Sequence, residues 1–459
     1  MRKQVVLIGA GISGLTCAYR LKQKGCDVLL VEREDSVGGV MKSEMRDGVL
    51  TESGPNSFQN APEIMQLIEE VGLNDELVTA PASAPRYIYY KGRLQEFPMN
   101  PPKFFSTPLL TPWGKIRVFL EPFARPAWQN EESIADFITR RFGREVLEVF
   151  VDPFVSGVYA GDPARLCVKS TFPMLIDFEK QYGGVLKGFI KSQKNSSEPR
   201  PKRLLCSFKR GLGTLPPRLA ELLGDSLVTN AIIAGLNASG PNGAPRFMLE
   251  INQNGCTKAV EADAVVLATP AFVAAETVKS LSEPLARILA SIEYPPLASV
   301  CLGYDKTAIP RPIEGFGFLV PRSQGLRLLG CLWSSGLFPG RAPEGKVCLT
   351  NFVGGATDPA VRELSNAELI QTVHRELQMT LGVKADPHVV AIHRYPRAIP
   401  QYNLGHQAKR QQIEEHVSHI PGLFLTGNYL RGVSVGDCVR EATSAAGDVA
   451  QSLRRRARV

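Results

Sequence analysis

Three glycines at the spacing G-x-G-x-x-G stand near the start of the chain, in Gly9-Ala10-Gly11-Ile12-Ser13-Gly14, and an acid, Glu32, follows them. Each has a physical task in holding a dinucleotide. Gly9 makes a tight turn, Gly11 lets backbone approach a pyrophosphate, and Gly14 lets a helix pack closely on a strand. Glu32 accepts protons from both ribose hydroxyls. The elements that must place these residues flank them. Val5-Val6-Leu7-Ile8 is an apolar, β-branched run of the kind that forms a buried parallel strand. Leu15 to Lys24 carries helical apolar spacing at Leu15, Ala18 and Leu21, and the N-terminus of that helix offers free amides and partial positive charge to phosphate. Val28-Leu29-Leu30-Val31 predicts a second strand that ends on Glu32. Strand, turn, helix, strand and acid fall in one register, which favours a dinucleotide site over an ordinary strand–helix turn.

The continuation narrows the dinucleotide to FAD. Gly38-Gly39 and then Gly54-Pro55-Asn56-Ser57 extend the contact past the acid, a pattern of two-domain FAD oxidoreductases that a nicotinamide fold does not need. At the far end, Leu423-Phe424-Leu425-Thr426 predicts a strand, followed by Gly427-Asn428, Gly432-Val433-Ser434-Val435-Gly436-Asp437 and a helix through Val439 to Val449. A second strand–glycine–helix start suits a pyrophosphate or the pyrimidine edge of a flavin. Both ends of the chain are therefore expected to build one cofactor site.

Composition sets bounds on the rest. The 459 residues predict two or three intertwined domains, and an ordinary hydrophobic fraction of 44% is enough for a large core. No run of about eighteen apolar residues predicts a transmembrane helix. The first strand begins almost at Met1, which leaves no room for a signal or transit peptide and predicts a protein that is either cytoplasmic or already trimmed. Nine scattered cysteines without C-x-x-C read as reduced, packed thiols, and His416 and His419 as a solvated helix face; no metal is expected. The formal charge of +8 favours anionic company, with Arg454, Arg455, Arg456 and Arg458 as a solvated tail. No recognised nucleic-acid module accompanies it. Lys103 to Trp128 interleaves Phe104, Phe105, Leu109, Leu110, Trp113, Phe119, Leu120, Phe123 and Trp128 with Lys103, Lys115, Arg117 and Arg125. Such a mixture suits a membrane interface, and equally an internal helix pair with a basic outer face.

Between the two cofactor segments, Arg86 to Tyr90 predicts a short strand before a Lys91-Gly92 turn. Helical stripes follow at Ile134, Phe137, Ile138 and Phe142 and at Val146, Leu147, Val149 and Phe150. Asp152-Pro153 is expected to stop the latter helix, and Gly157 to Pro163 to form a glycine-rich loop. Lys191 to Arg203 reads as a linker. Strands are expected at 227–233, 246–252 and 262–268, the last returning to the FAD sheet, and an antiparallel sheet at 298–353 with one face towards a ligand. Ser365 to Leu381 reads as an amphipathic helix. The fold class is α/β: a doubly wound Rossmann-like FAD domain (1–85, 206–295 and 411–459), an inserted antiparallel-sheet substrate domain (296–410) and a helical, membrane-associating domain (86–205).

Four blocks carry a family resemblance: 152–163 (Asp-Pro-Phe-Val-Ser-Gly-Val-Tyr-Ala-Gly-Asp-Pro), Gly315 to Pro321, Ile399 to His406, and Gly436-Asp437-Cys438. Essentially end to end, the chain resembles the oxygen-dependent protoporphyrinogen oxidases, a branch of the amine-oxidase and phytoene-desaturase flavoproteins. The resemblance implies that FAD is held by Gly9, Ala10, Gly11, Ile12, Ser13, Gly14, Glu32, Arg33, Gly38, Gly39, Val40, Gly54, Pro55, Asn56, Ser57, Ile232, Asn428, Val433, Ser434 and Val435. It implies that Arg86 pairs with a substrate propionate, that Leu319, Leu332 and Phe352 sandwich a tetrapyrrole, and that the Ala160-Gly161 backbone runs along one edge. On their own residue types, Arg86 reads as a surface charge and the other three as core. The implied reaction moves a hydride from a meso carbon to flavin N5, with dioxygen as final acceptor and hydrogen peroxide as by-product, over three rounds to protoporphyrin IX in haem biosynthesis. No protein base is assigned, Asn56 being a flavin-side candidate only. The coproporphyrinogen III oxidases of the same fold are the alternative; the Arg86 match leans towards the two-propionate substrate. An amine oxidase or carotenoid desaturase would need an aromatic cage or a long apolar tunnel, which nothing specific in the chain supports. The same resemblance implies peripheral contact with the cytoplasmic membrane, a homodimer, handover of product to a ferrochelatase, and sensitivity to diphenyl-ether herbicides.

Overall fold

The computed structural model describes residues 2–126, 131–194, 203–239 and 246–456. Trp128, the middle of the Lys191 to Arg203 segment and Arg458 lie outside the described residues. The continuous apolar runs of the N-terminal unit form strands Arg2–Ile8 and Val28–Val31, joined by the helix Ile12–Gln23. They sit centrally in a seven-stranded sheet. Its order is Leu227–Val228, Val28–Val31, Arg2–Ile8, Cys256–Leu267, Arg246–Gln253 and Ala231–Ser239. Leu423–Leu425 pairs in parallel with the last residues of Cys256–Leu267. Alternate side chains explain the unbroken hydrophobicity. Val5, Leu7, Val28 and Leu30 enter one core with the helices Ile12–Gln23 and Val435–Arg456, and Val6, Ile8, Leu29 and Val31 enter another on the opposite face. Helices therefore cover both faces of a mixed sheet, and the last helix packs directly against the first.

A second seven-stranded sheet runs in the order His388–Tyr395, Leu297–Asp305, Lys346–Gly354, Leu328–Leu332, Gly317–Leu319, Arg86–Tyr90 and Arg93–Glu96. Its strands between 297 and 354 pair antiparallel, as expected, but Gly317–Leu319 also runs parallel to Arg86–Tyr90. The hairpin at 86–96, grouped in the sequence with the helical segment, is thus the edge of this sheet. One face is closed: Tyr89, Val300, Leu302, Phe318, Trp333 and Val353 form a core with Leu369, Val373 and Leu377 of the helix Asn366–Leu381. That helix starts with a capping box between Ser365 and Glu368. The other face meets the first sheet's lobe. There the buried Arg341 donates to the Ser207 hydroxyl (2.6 Å) and the Phe208 carbonyl (3.1 Å) and lies 3.5 Å from Glu52. Burial pushes the Glu52 carboxyl up to about 7 against the opposing pull of Ser43, Leu212 and Arg341.

Helices Ile134–Phe142, Pro173–Tyr182 and Val185–Lys194 pack around a buried ion network in which Arg141 meets Glu121 and Glu179. The structure corrects one expectation here. Asp152-Pro153 does not stop the helical path; a π-helical turn, Leu147–Val151, passes into a further helix, Asp152–Tyr159. Pro153 sits in the first turn, where its missing N–H takes no bond from the helix. Gly157 to Tyr159 are helical rather than looped, and the turn back begins at Ala160, whose φ of 50° is left-handed. Among the described residues no helix is long and apolar enough to cross a membrane.

Candidate active site

The cradle for a dinucleotide is built at the C-terminal ends of the central strands. Gly9 turns at φ 98°, and a Cβ there would stand 2.9 Å from the Thr269 methyl. At Gly14 a Cβ would stand 1.9 Å from the Gly9 carbonyl oxygen, so helix and strand approach as closely as backbone allows. Gly11 faces open space and bridges to Gly38, whose N–H donates to the Ala10 carbonyl (2.8 Å). Ile12 and Ser13 begin the helix. Glu32 is buried and held by two amides, Ala10 N–H (2.6 Å) and Glu34 N–H (3.0 Å), which leaves its outer lone pairs for hydroxyl donors. Arg33 points out and pairs with Glu34 (3.0 Å).

Gly39 and Gly54 continue the groove; a Cβ on Gly54 would lie 2.3 Å from the Val40 carbonyl oxygen. Pro55 and Ser57 are half-buried beside it, and the Asn56 amide donates to the Gly54 carbonyl (3.2 Å). Val40 and Ile232 are 55% and 59% exposed, unusual for apolar side chains inside a concave site. On the opposite bank, the Asn428 carbonyl accepts the Tyr402 hydroxyl, and Val433, Ser434 and Val435 lead into the long helix, where the Ser434 hydroxyl accepts from Asp437 N–H (3.1 Å). The buried hydroxyls of Thr269 and Thr426, to which the sequence assigned no ligand role, have no hydrogen-bond partner among the described residues. Glycines that no side-chain-bearing residue could replace, orphaned hydroxyls and exposed apolar side chains together fit a long, flat-ended ligand with a pyrophosphate.

The second sheet supplies the facing wall. Its register sets Arg86, Gly317, Leu332 and Thr350 in one row, and Ile88, Leu319, Gly330, Phe352, Ser299 and His393 in the next. Residues paired across strands share a side, and residues two apart along a strand do too. Arg86, Leu319, Leu332 and Phe352 therefore all point from one face, the face opposite the Phe318–Trp333 core, and each is only half-buried. Tyr395, two residues past His393 on that face, donates to the Ser53 carbonyl beside Gly54, so wall and cradle meet there. Asp152–Tyr159 flanks the wall: a Cβ on Gly157 would stand 2.5 Å from Leu319 Cδ2. Ala160 and Gly161 are buried, with the Ala160 carbonyl taken by Ala356 N–H (2.8 Å).

Arg86 lies 4.6 Å from the Phe316 ring centroid and donates to Met99 Sδ (3.4 Å), but pairs with no carboxylate among the described residues. Burial lowers its pKa. Met99 went unread in the sequence because it is not polar; Phe316, inside the Gly315 to Pro321 block, comes to Arg86 through a parallel pairing that has no local signature. Gln401, buried, donates both amide hydrogens, to the Tyr159 and Ile399 carbonyls (3.0 Å each), and so ties the end of the flanking helix to the segment that reaches Asn428. Titratable groups nearby are tuned away from proton transfer near neutrality: burial pushes the Tyr159 phenol up to about 12 and His406 down to about 4.

Comparison with known proteins bears on this arrangement. The family model for flavin containing amine oxidoreductase matches residues 12–450. The chain belongs to that family. The flavoenzyme is 35% identical to the chloroplastic protoporphyrinogen oxidase of Oryza sativa subsp. japonica, over 98% of this chain and 88% of the relative. It is 30% identical to the coproporphyrinogen III oxidase of Bacillus subtilis (strain 168), over 97% of this chain and 98% of the relative. A crystal structure from Exiguobacterium sp. 255-15, provisionally named a protoporphyrinogen oxidase, superposes with a TM-score of 0.82 at 25% identity, covering 98% of this chain and 99% of the other. The cofactor of this oxidoreductase is FAD.

Proposed function

We propose that the enzyme oxidises protoporphyrinogen IX to protoporphyrin IX, with dioxygen as the final electron acceptor and hydrogen peroxide as the by-product. The observation that carries this reading is Arg86: a half-buried fork of donors, paired with no carboxylate among the described residues, at the end of a half-open apolar face. A rigid guanidinium binds a carboxylate bidentately. Leu319, Leu332 and Phe352 offer the flat apolar contact that a macrocycle would cover, and the cradle lies at the other end of the same face. FAD, when bound, supplies a two-electron hydride acceptor that dioxygen renews. The chain's share is positioning: Arg86 anchors, the sheet face aligns the ring edge-on to the cradle, and closure around it excludes water. No side chain acts as base, which suits a substrate whose own pyrroles delocalise the positive charge left by hydride loss. The test is the product spectrum, with specificity constants for protoporphyrinogen and coproporphyrinogen measured on the same holoenzyme. A flavin that stays oxidised on anaerobic mixing with either removes the reading.

The Bacillus relative favours a second reading, coproporphyrinogen III, which carries four carboxylates. A cavity of about 580 Å3 lies beyond Arg86, between Pro85, Gly315, Gly336 and Lys346. Its lysines, Lys306 and Lys346, stand with Glu314 and Glu344, and its lining includes none of Arg86, Leu319, Leu332 and Phe352. The lean towards the two-propionate substrate rests on the Arg86 resemblance.

Membrane contact belongs to the same proposal. Trp113 and Phe123 are 67% and 82% exposed, beside exposed Phe105, Ile116 and Phe119, whereas Leu109 and Leu110 turn inward. The interleaved cations are less free than the sequence suggests. Arg117 donates to the Arg140 and Arg141 carbonyls, Lys115 to the Phe105 carbonyl, and Lys103 pairs with Glu96. What remains outward is an aromatic ledge, suited to the interfacial layer of a bilayer. Trp113→Ser with Phe123→Ser is expected to abolish co-sedimentation with vesicles while leaving turnover in detergent unchanged.

A further inference from the structure

The wall opposite the cradle is not one element but a contact between the sheet and the helix Asp152–Tyr159. Something must hold that helix at its distance, because Gly157 leaves room for nothing between its backbone and Leu319. Arg322, in the turn just after Leu319, reaches back to it. Its Nε donates to Asp152 Oδ1 (2.7 Å), its Nη2 lies 2.6 Å from the same oxygen, and its backbone N–H donates to Asp152 Oδ2 (3.2 Å). The same Nη2 lies 3.4 Å from Asp162, at the start of the turn after Gly161. The chain there is folded onto the helix by the Gly161 N–H, which donates to the Val155 carbonyl (3.3 Å). One guanidinium thus grips both ends of the segment 152–162, and Asp152 is buried.

We propose that Arg322 is a positioning residue: with Asp152 and Asp162 it clasps the segment 152–162 and thereby sets where the helix Asp152–Tyr159 and the Ala160-Gly161 backbone stand against Leu319. It touches neither substrate nor cofactor. The chemistry requires Arg and not merely a cation, since two nitrogens of one plane serve two carboxylates while the backbone amide fixes the turn. A Lys at this position keeps the charge and loses the fork. The identity of the ligand in the slot rests on the porphyrinogen reading; the clasp itself does not.

The test compares wild-type holoenzyme with Arg322→Lys, Arg322→Ala and Asp162→Asn, reading KM and kcat for protoporphyrinogen, flavin per chain, and hydrogen exchange of the amides at 154–161. Arg322→Lys is expected to raise KM about tenfold with kcat within about twofold and flavin content unchanged, and to speed exchange in that segment alone. Asp162→Asn, which keeps the Asp152 pair and so the fold, should give a smaller shift of the same kind. If Arg322→Lys leaves both KM and local exchange at wild-type values, or lowers kcat and flavin content together, the clasp is overturned. If the wild type oxidises no porphyrinogen, the functional reading has failed, and the exchange measurement alone decides whether the clasp exists.

Discussion

Arg2–Ile8 and Gly317–Leu319 both lie inside seven-stranded sheets, yet they make opposite demands on sequence. The first is covered by helices on both faces, so every residue from Val5 to Leu7 is apolar and fully buried. The second is closed by a core on one face, while its other face touches the helix Asp152–Tyr159 at Leu319 and is otherwise half-open. Phe318 goes into the core, while Leu319 stands on the open side among Arg86, Leu332 and Phe352. A two-sided sheet gives a rigid bed from which glycine turns project with little latitude. A one-sided sheet leaves a face whose residues need only be flat, apolar and suitably tipped with charge. In this molecule tolerance should therefore differ sharply between cofactor bed and substrate wall.

Breaking the bed is expected to have the largest effect. Gly14→Ala sets a Cβ against the Gly9 carbonyl oxygen, and flavin absorbance per chain should fall by more than about tenfold, with loss of folded protein. Retention of a normal flavin spectrum would show that the bed yields. Next comes Arg86→Ala, which removes a charge-assisted pair worth roughly 1.5–3 kcal/mol and should raise KM about 10- to 100-fold with little change in kcat; a collapse of kcat at constant KM would assign Arg86 to the reaction rather than to anchoring. Phe352→Ala sharpens the contrast: half-buried on the open face, it should raise KM roughly three- to tenfold while moving the melting temperature little. Were the melting temperature to fall as far as for a core Phe, the wall would be as rigid as the bed.

The smallest effect probes the seam between the two sheets. Glu52 is raised to about 7 in the fold, so folding favours its protonated form. Its stabilising contribution is full below its ordinary unfolded value and is lost as pH rises through about 7. Glu52→Gln should flatten the fall in melting temperature between pH about 5 and 7 that the wild type shows; an unchanged slope would place the titration elsewhere.

The contrast also explains what the sequence could disclose. The cradle is local: Gly9 to Gly14 and Glu32 follow one another in strand–turn–helix–strand order, so their spacing is itself the evidence. Ile232 carries no such signal, because it arrives from a remote strand; Asn428 was legible in the second strand–glycine–helix start, whereas Thr269 and Thr426 were read as strand ends with no ligand role. The wall is non-local throughout. Arg86, Gly317, Leu332 and Thr350 share a row only because four strands from three parts of the chain pair in register, and alternation within a three-residue strand such as Gly317–Leu319 is too short to show which face is open. Family resemblance, not pattern, led to Arg86, Leu319, Leu332 and Phe352. The helix Asp152–Tyr159 was misread because Pro153 resembles a stop; in a first turn it is a start.

The first helix, Ile12–Gln23, and the last, Val435–Arg456, pack side by side, and the residues lining the cradle come from both ends of the chain. During synthesis the glycine turn therefore emerges from the ribosome long before its opposite bank exists. Lasting capture of flavin is therefore expected only once the segment from Leu423 onward has been made, and a nascent chain stalled before Leu423 is expected to have no lasting hold on it.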